Sequence, residues 1–350
     1  MSKPNNRKNE HVSLSEKFYP QQVSSFKDIR FVHQSFPEMD VRDVDLSVSV
    51  EGLNFSVPFF INAMTGGSEW TGKVNEKLAV IARETGLAMA TGSVSAALKD
   101  PSQEETFKVV RRTNPNGLIF ANLGAGHGLE NAKRVVDLLE ADAFQIHINA
   151  PQEVVMPEGD REFRGWLTNI ESIVNGLSVP VIAKEVGFGM SRETIRQLES
   201  VGVKLIDVSG QGGTNFAQIE NFRRKDFKLD DFEEWGQTTA VSLLEAGDSA
   251  VNSHIIASGG IRRPMEMVKA LSIGASLNGL SSQFMHMALD DVDQAIDTIN
   301  QWKVELTHIM TLLGARTIED LRRTDIIITG ETAEWCSARK ISIQKYASRS

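Results

Sequence analysis

From residue 57 onward the sequence repeats one unit: a short β-rich apolar run, a loop bearing glycine or asparagine, then a stretch with helical spacing. The apolar runs are Pro58–Asn62, Leu87–Thr91, Leu118–Asn122, Phe144–Ile148, Pro180–Lys184, Lys204–Val208, His254–Ser258 and Ser276–Leu280. Helical patterns lie between them, as at Lys73–Thr85, Asn131–Leu139, Arg192–Val201 and Pro264–Ile273. Parallel strands joined through helices are covered on both faces, and eight such units roughly 30 residues apart predict a closed (β/α)8 barrel, a TIM barrel of the α/β class. An open doubly wound sheet with an insertion is the alternative. No G-x-G-x-x-G follows the first strand, which weakens it. On this reading residues 1–57 are an N-terminal arm with a β-like stretch at Asp45–Val50. Residues 58–290 are the barrel, and residues 291–350 are a helical extension packed on it within a single domain.

The 24% charged and 41% hydrophobic content is that of a soluble globular protein. No apolar run approaches the roughly 20 residues that span a bilayer, and the start, MSKPNNRKNEH, lacks the apolar core of a signal peptide. A single cysteine, Cys336, excludes an intrachain disulfide and a thiolate metal cluster, so a reducing cytoplasm is expected. A formal charge of −9 argues against non-specific nucleic-acid binding. It also means that an anionic ligand needs local cations or a bridging metal.

Barrel chemistry sits at the C-terminal ends of the strands. Those ends are small or polar throughout: Asn62 through Gly67, Thr91-Gly92-Ser93, Asn122-Leu123-Gly124, His147 through Glu153, Lys184-Glu185, Ser209 through Thr214, Ser258 through Arg262 and Gly279-Leu280-Ser281. Eight in register point to a ligand across the barrel mouth. The fourth end is the densest, with His147, Asn149, Gln152 and Glu153 gathered within seven positions. Such groups are costly to bury without a ligand or metal, although ordinary loop polarity accounts for them equally well. Glycines after the last two strands, at Ser258–Arg262 and Gly279–Ser281, suit a phosphate approached by backbone N–H groups. Lys184 ends the run PVIAK, where it would meet a cofactor ring or an anion, or reach out to solvent. Glu153, Glu158 and Asp160 are oxygen ligands of the kind that hold Mg²⁺ against phosphate. The adjacent cations Arg7 and Lys8 suit a diphosphate, and a disordered basic tip is the commoner explanation. Gln211–Gln237, with five aromatic residues among charges, is too long for a plain barrel loop and reads as a lid. The histidines at 11, 33, 127, 254, 286 and 308 show no paired spacing and read as structural or surface residues.

Together these pieces resemble the type 2 isopentenyl-diphosphate isomerases. The resemblance runs from RKNEH at Arg7–His11 through NAMTGG at Asn62–Gly67, TGS at Thr91–Ser93 and ANLG at Ala121–Gly124. It continues through HIN…QE at His147–Glu153, MPEGD at Met156–Asp160, KEVGFG at Lys184–Gly189, GQGGT at Gly210–Thr214 and SGGIRRP at Ser258–Pro264. Several of these occur across FMN barrels; RKNEH together with QE…MPEGD is specific to this family. The resemblance implies interconversion of isopentenyl and dimethylallyl diphosphate with reduced FMN and Mg²⁺. It further implies NADPH or NADH as the flavin reductant and a homo-oligomer, a tetramer or octamer. Carried onto this sequence, Ala63, Met64, Thr65, Ser93, Asn122, Lys184, Ser209, Thr214, Ser258, Gly259, Gly260, Ile261, Arg262, Leu280 and Ser281 form the flavin site. Arg7, Lys8, His147 and Gln152 contact substrate, Glu153 holds Mg²⁺ with Asn149 beside it, and Gln152 and Glu220 are the catalytic residues, Glu220 standing in the lid near the alkene end. Two departures stand out. Val94-Ser95 replaces a glutamine and arginine common in the family, and Phe216 replaces a tryptophan.

Two other functions share the barrel. An FMN-dependent 2-hydroxy-acid oxidase or dehydrogenase needs a histidine base near the sixth strand, where this chain has Val208 through Thr214 with no histidine. A non-catalytic flavin-binding barrel would leave the polar set at the fourth strand without a purpose.

Overall fold

The computed structural model describes residues 4–19, 24, 26–249 and 252–349, with side chains from residue 7. Its centre is a closed barrel of eight parallel strands: β1 Phe59–Ile61, β2 Met89–Ala90, β3 Ile119–Gly124, β4 Ala143–Ile148, β5 Val181–Glu185, β6 Leu205–Asp207, β7 His254–Ser258 and β8 Leu277–Leu280. Each expected strand is present. β8 closes on β1 with Gly279 opposite Phe60 and Leu280 opposite Ile61. The expected helices are present too, at Glu69–Thr85, Leu129–Leu139, Arg192–Ser200 and Pro264–Ser272. The first is longer than its apolar spacing suggests. Ser68 caps it by accepting from the Thr71 N–H, and Gly86 ends it in the left-handed region at φ 67°.

Strand alternation divides the core into two layers. Outward residues such as Ile61, Met89, Ile119, Phe144, Ile146, Ala183 and Ile206 pack against the helices. Inward residues Phe60, Ala90, Phe120, Ala143, Ile182, Leu205, Ile256 and Leu277 fill the barrel's lower half. A hairpin of Val48–Val50 and Leu53–Phe55 plugs the bottom, burying Val50, Leu53 and Phe55 against them. Phe55, Phe60 and Phe120 meet with centroids 5.6–6.4 Å apart, two of the three pairs edge-to-face.

The arm differs from expectation. Pro4–Phe18 is a helix, although only Val12 and Ser15 are buried among its described side chains, so no apolar stripe announces it. It leans on the helix Phe216–Arg223 within the expected lid segment and on the helix Ser282–Asp290. The C-terminal part is mainly helical, with Val292–Leu312 and Gly330–Ala338, but it also holds the strand Ile326–Ile328. That strand pairs antiparallel with Ile29–Phe31 of the arm.

Candidate active site

The site begins one strand period above the apolar floor. Two residues beyond Phe60, Phe120, Ala143, Ile182, Leu205, Ile256 and Leu277 stand Asn62, Asn122, Gln145, Lys184, Asp207, Ser258 and Gly279. All point inward, because the side-chain period of a strand is two. All six side chains in this layer are buried, and they satisfy one another. Asn62 Nδ2 donates to Asp207 Oδ2 at 2.7 Å, Gln145 Nε2 to Asn62 Oδ1 at 3.0 Å and Asn122 Nδ2 to Gln145 Oε1 at 3.1 Å. Ser258 Oγ donates to Asp207 Oδ1 at 2.6 Å, and Lys184 Nζ lies 3.5 Å from Asp207 Oδ2. Lys184 also donates to the Glu185 carbonyl at 2.8 Å and to Ser209 Oγ at 3.3 Å. Gly279 makes room for this layer, since a Cβ there would sit 2.4 Å from Asn62 Nδ2.

Above it opens a cavity of about 410 Å³, within the range of small-molecule sites. It is lined by the expected flavin residues Ala63, Met64, Ser93, Asn122, Lys184, Ser209 and Thr214. There too stand Ser258, Gly259, Gly260, Ile261, Leu280 and Ser281. Gly259 has φ 90°, and a Cβ there would meet the Gly210 carbonyl oxygen at 2.0 Å, so only glycine lets these two strand ends approach. Backbone at Gly259–Ile261 therefore faces the cavity bare, just before the nine-residue helix Pro264–Ser272, and this cradle fits a phosphate group. Two expected flavin residues turn elsewhere. The Thr65 hydroxyl bonds Asn75, and the Arg262 guanidinium donates to the Gly212 carbonyl at 2.7 Å.

The same cavity carries a cationic patch. Arg7 and Lys8 reach it from the arm helix, so they are not a loose basic tip: Lys8 Nζ contacts the Ser93 carbonyl at 3.4 Å and Arg7 Nη1 contacts Met156 Sδ at 3.6 Å. Burial, then Arg7 and Lys99, push the Lys8 ammonium down to about 8. Lys99, from the short helix Ser95–Lys99, lines the same end and was not singled out in the sequence, because its place at the end of an ordinary amphipathic turn looks like surface. His11 and His127 also line the cavity, so reading them as structural or surface residues missed them. His147 lines the cavity too. Burial, then the nearby Lys8 and Lys184, push its imidazole down to about 3, so it is neutral.

The fourth-strand set continues into the short helix Ala150–Val155. Asn149 Nδ2 donates to Glu153 Oε1 at 2.8 Å, and the Asp160 N–H donates to Glu153 Oε2 at 2.8 Å. Glu158 does not join Glu153 and instead pairs with Arg223 at 2.7 Å. Among the described residues no three His, Cys, Asp or Glu side chains form a metal cluster. Gln152 lines the cavity and donates through Nε2 to Glu220 Oε1 at 3.1 Å. Glu220 lies behind it, fully buried and out of the cavity, against His11 Nε2 at 2.9 Å and the Arg223 guanidinium. Burial alone would raise this carboxyl, but His11, Arg223 and Gln152 hold it at about 2. From the expected lid segment Gly213, Thr214 and Phe216 line the cavity, and the segment touches the arm helix. Phe216 stands edge-on to His11 at 6.2 Å, and Thr214 and Ser15 hydroxyls lie 3.4 Å apart.

Comparison with known proteins agrees with this geometry. Residues 131–328 match the family model of FMN-dependent dehydrogenases. Among solved structures, mandelate oxidase with (S)-2-phenylpropionate superposes with a TM-score of 0.62 at 17% identity, over 91% of this chain and 90% of that one. A lactate oxidase of Pediococcus acidilactici gives 0.66 at 15% identity, over 92% and 94%. These likenesses establish the fold. Sequence relatives are nearer: the isopentenyl-diphosphate delta-isomerase of Staphylococcus epidermidis is 47% identical over 340 residues, 97% of each chain. That of Staphylococcus saprophyticus is 47% identical over 344 residues, 98% of this chain and 99% of its own. With an FMN-type barrel beneath, a cationic mouth above and that identity along nearly its whole length, the chain belongs to the isopentenyl-diphosphate delta-isomerase family.

Proposed function

We propose that this protein interconverts isopentenyl and dimethylallyl diphosphate, with reduced FMN across the barrel mouth and Mg²⁺ at the diphosphate. The observation that carries the reading is one cavity that brings together a glycine-backed polar wall and the cations Arg7, Lys8 and Lys99. Family membership supports the same substrate pair. The reaction adds a proton to one end of an allylic unit and removes one from the other, with no net redox. FMN, when bound and reduced, supplies an electron-rich ring and exchangeable protons beside the alkene.

The chain's own residues orient and exclude water. Lys184, fixed by Asp207 and two oxygen contacts, presents a cation to the ring system. Arg7, Lys8 and Lys99 answer the acidic protein's need for local positive charge at an anionic substrate. Glu153 offers a single carboxylate, which suits a Mg²⁺ ion that takes its other ligands from phosphate and water. Gln152 touches the substrate, and Glu220 is a positioning residue that holds the Gln152 amide from behind. We also propose NADPH or NADH as the flavin reductant, a cytoplasmic setting and a homo-oligomer, tetramer or octamer. Among the described residues no helix is long and apolar enough to cross a membrane.

Anaerobic incubation with isopentenyl diphosphate, FMN, a reductant and Mg²⁺ tests the reading. Dimethylallyl diphosphate should form, and only with reduced flavin. Product formation at full rate with oxidised flavin, or bleaching of the flavin by a 2-hydroxy acid, would overturn it.

A further inference from the structure

The buried layer beneath the cavity is a relay with a direction. Asp207 is fully buried, and each of its contacts comes from a donor: Asn62, Ser258, the Ser209 N–H at 3.1 Å and the Lys184 ammonium. Its carboxylate therefore accepts only. That forces Asn62 to turn its amino group toward Asp207 and its oxygen toward Gln145. The Ala63 N–H, which also donates to Asn62 Oδ1 at 2.8 Å, is compatible with that orientation. Gln145 must then donate to Asn62 and accept from Asn122, which leaves Asn122 Oδ1 as the acceptor for His147 Nδ1 at 2.8 Å. A neutral imidazole carries one hydrogen, so Nδ1 holds it and Nε2 is left with a lone pair. Nε2 makes no hydrogen bond to the described residues and lies on the cavity side, where a Cβ at Gly124 would be 3.0 Å away.

We propose that Asp207 is a positioning residue whose carboxylate, acting through Asn62, Gln145 and Asn122, sets the tautomer of His147 and so decides what that imidazole recognises. With Nε2 as an acceptor, His147 takes a hydrogen-bond donor from the ligand: a metal-bound water or a protonated phosphate oxygen. It does not take a bare phosphate oxygen, which has no hydrogen to offer. This consequence rests on the diphosphate reading above; the tautomer itself does not.

The test uses the full-length, FMN-loaded protein labelled with ¹⁵N-histidine. Long-range ¹H–¹⁵N spectra separate protonated from unprotonated ring nitrogens, and the His147 signals are identified by their loss in His147→Gln. The wild type should show hydrogen on Nδ1. Asp207→Asn removes the obligate acceptor and should give a mixture of tautomers, with KM for the diphosphate rising about fivefold, the size of one neutral hydrogen bond. Adding Gln145→Glu to that variant places a new accepting carboxylate below Asn122 and should restore the Nδ1 hydrogen. A residue that merely supports the fold would not be rescued this way. Should Asp207→Asn not fold, Gln145→Leu cuts the relay midway while leaving Asp207 and its other partners intact, and should give the same mixture. Hydrogen on Nε2 in the wild type, or an unchanged tautomer in the cut relay, would overturn the proposal. Failure of the isomerase reading would appear separately, as no allylic product from the wild type.

Discussion

Glu220 gives the sharpest quantitative test, because its charge is both buried and compensated. Its carboxyl is held at about 2 against an ordinary 4.5, with burial opposing and His11, Arg223 and Gln152 more than offsetting it. A folded-state value below the unfolded one adds stability that is fully present above pH 4.5 and is lost as pH falls toward 2. The difference is worth about 3 kcal/mol at neutral pH. Glu220→Gln keeps the shape and an acceptor for Gln152, but removes the charge. For a chain of 350 residues, with about 2 cal/mol/K of unfolding entropy per residue, the midpoint should fall by about 4 °C at pH 7. The gap between wild type and variant should narrow to about half near pH 3 and close toward pH 2, read by thermal unfolding across that range. A gap that stays constant down to pH 3 would show that packing, not charge, is the source. Turnover supplies a second reading. Glu220 does not line the cavity, so kcat at pH 7 should fall less than about tenfold. A loss beyond a thousandfold would mean that this carboxyl itself carries the proton.

Three further expectations follow from the cationic end and the metal site. Glu153→Gln should raise the Mg²⁺ concentration needed for half-maximal activity at least tenfold while leaving the flavin absorption spectrum unchanged, and an unaltered Mg²⁺ titration would remove Glu153 from the metal site. Deleting residues 1–8 should raise KM for the diphosphate by about a hundredfold, two charge-assisted contacts at about 1.5 kcal/mol each, with FMN content retained; an unaltered KM would take Arg7 and Lys8 out of the site. Lys8, pushed down to about 8, is the protonated partner of an anion only below that value, so kcat/KM should fall as pH rises through about 8. In Lys8→Arg the fall should move to higher pH, because guanidinium stays charged; an unshifted profile would assign the titration to another group.

Much of the barrel was legible because period and length speak clearly there. The eight apolar runs, each bounded by turn residues, favour a closed barrel over an open doubly wound sheet, and the barrel is what the chain forms, with their polar ends on one rim. The fourth-strand cluster was legible for the same reason. Asp207 and Gln145, unlike Asn62, are not read from the strand ends, yet each lies two residues beyond an inward apolar residue, so the alternation that builds the floor also announces the polar layer. The arm helix had no such signal. Its sequence, PNNRKNEHVSLSEKF, is polar on every face and is held by tertiary contacts, such as Ser68 Oγ donating to Asn9 Oδ1 at 2.6 Å. Lys99 was hidden likewise, since only folding shows that the end of its short helix faces the mouth. The strand Ile326–Ile328 is a β-branched run bounded by Asp325 and Gly330, a local signal overshadowed by the helical character of the surrounding C-terminal part, and its partner lies far away in the arm.

That pairing has a temporal consequence. Ile29–Phe31, which follows the arm helix, finds its partner at Ile326–Ile328, nearly the whole sequence away, and the join is reinforced where Asp28 accepts from the Thr332 hydroxyl at 2.9 Å. Contacts of such high sequence separation form late, because a large loop must close before they are rewarded. On a ribosome, a chain still lacking residue 326 could complete its eight strands yet have no strand on which to seat the segment behind Arg7 and Lys8. The barrel would exist before the arm was seated, so the nascent protein would have its flavin-side residues and Lys99 in place first and Arg7 and Lys8 last.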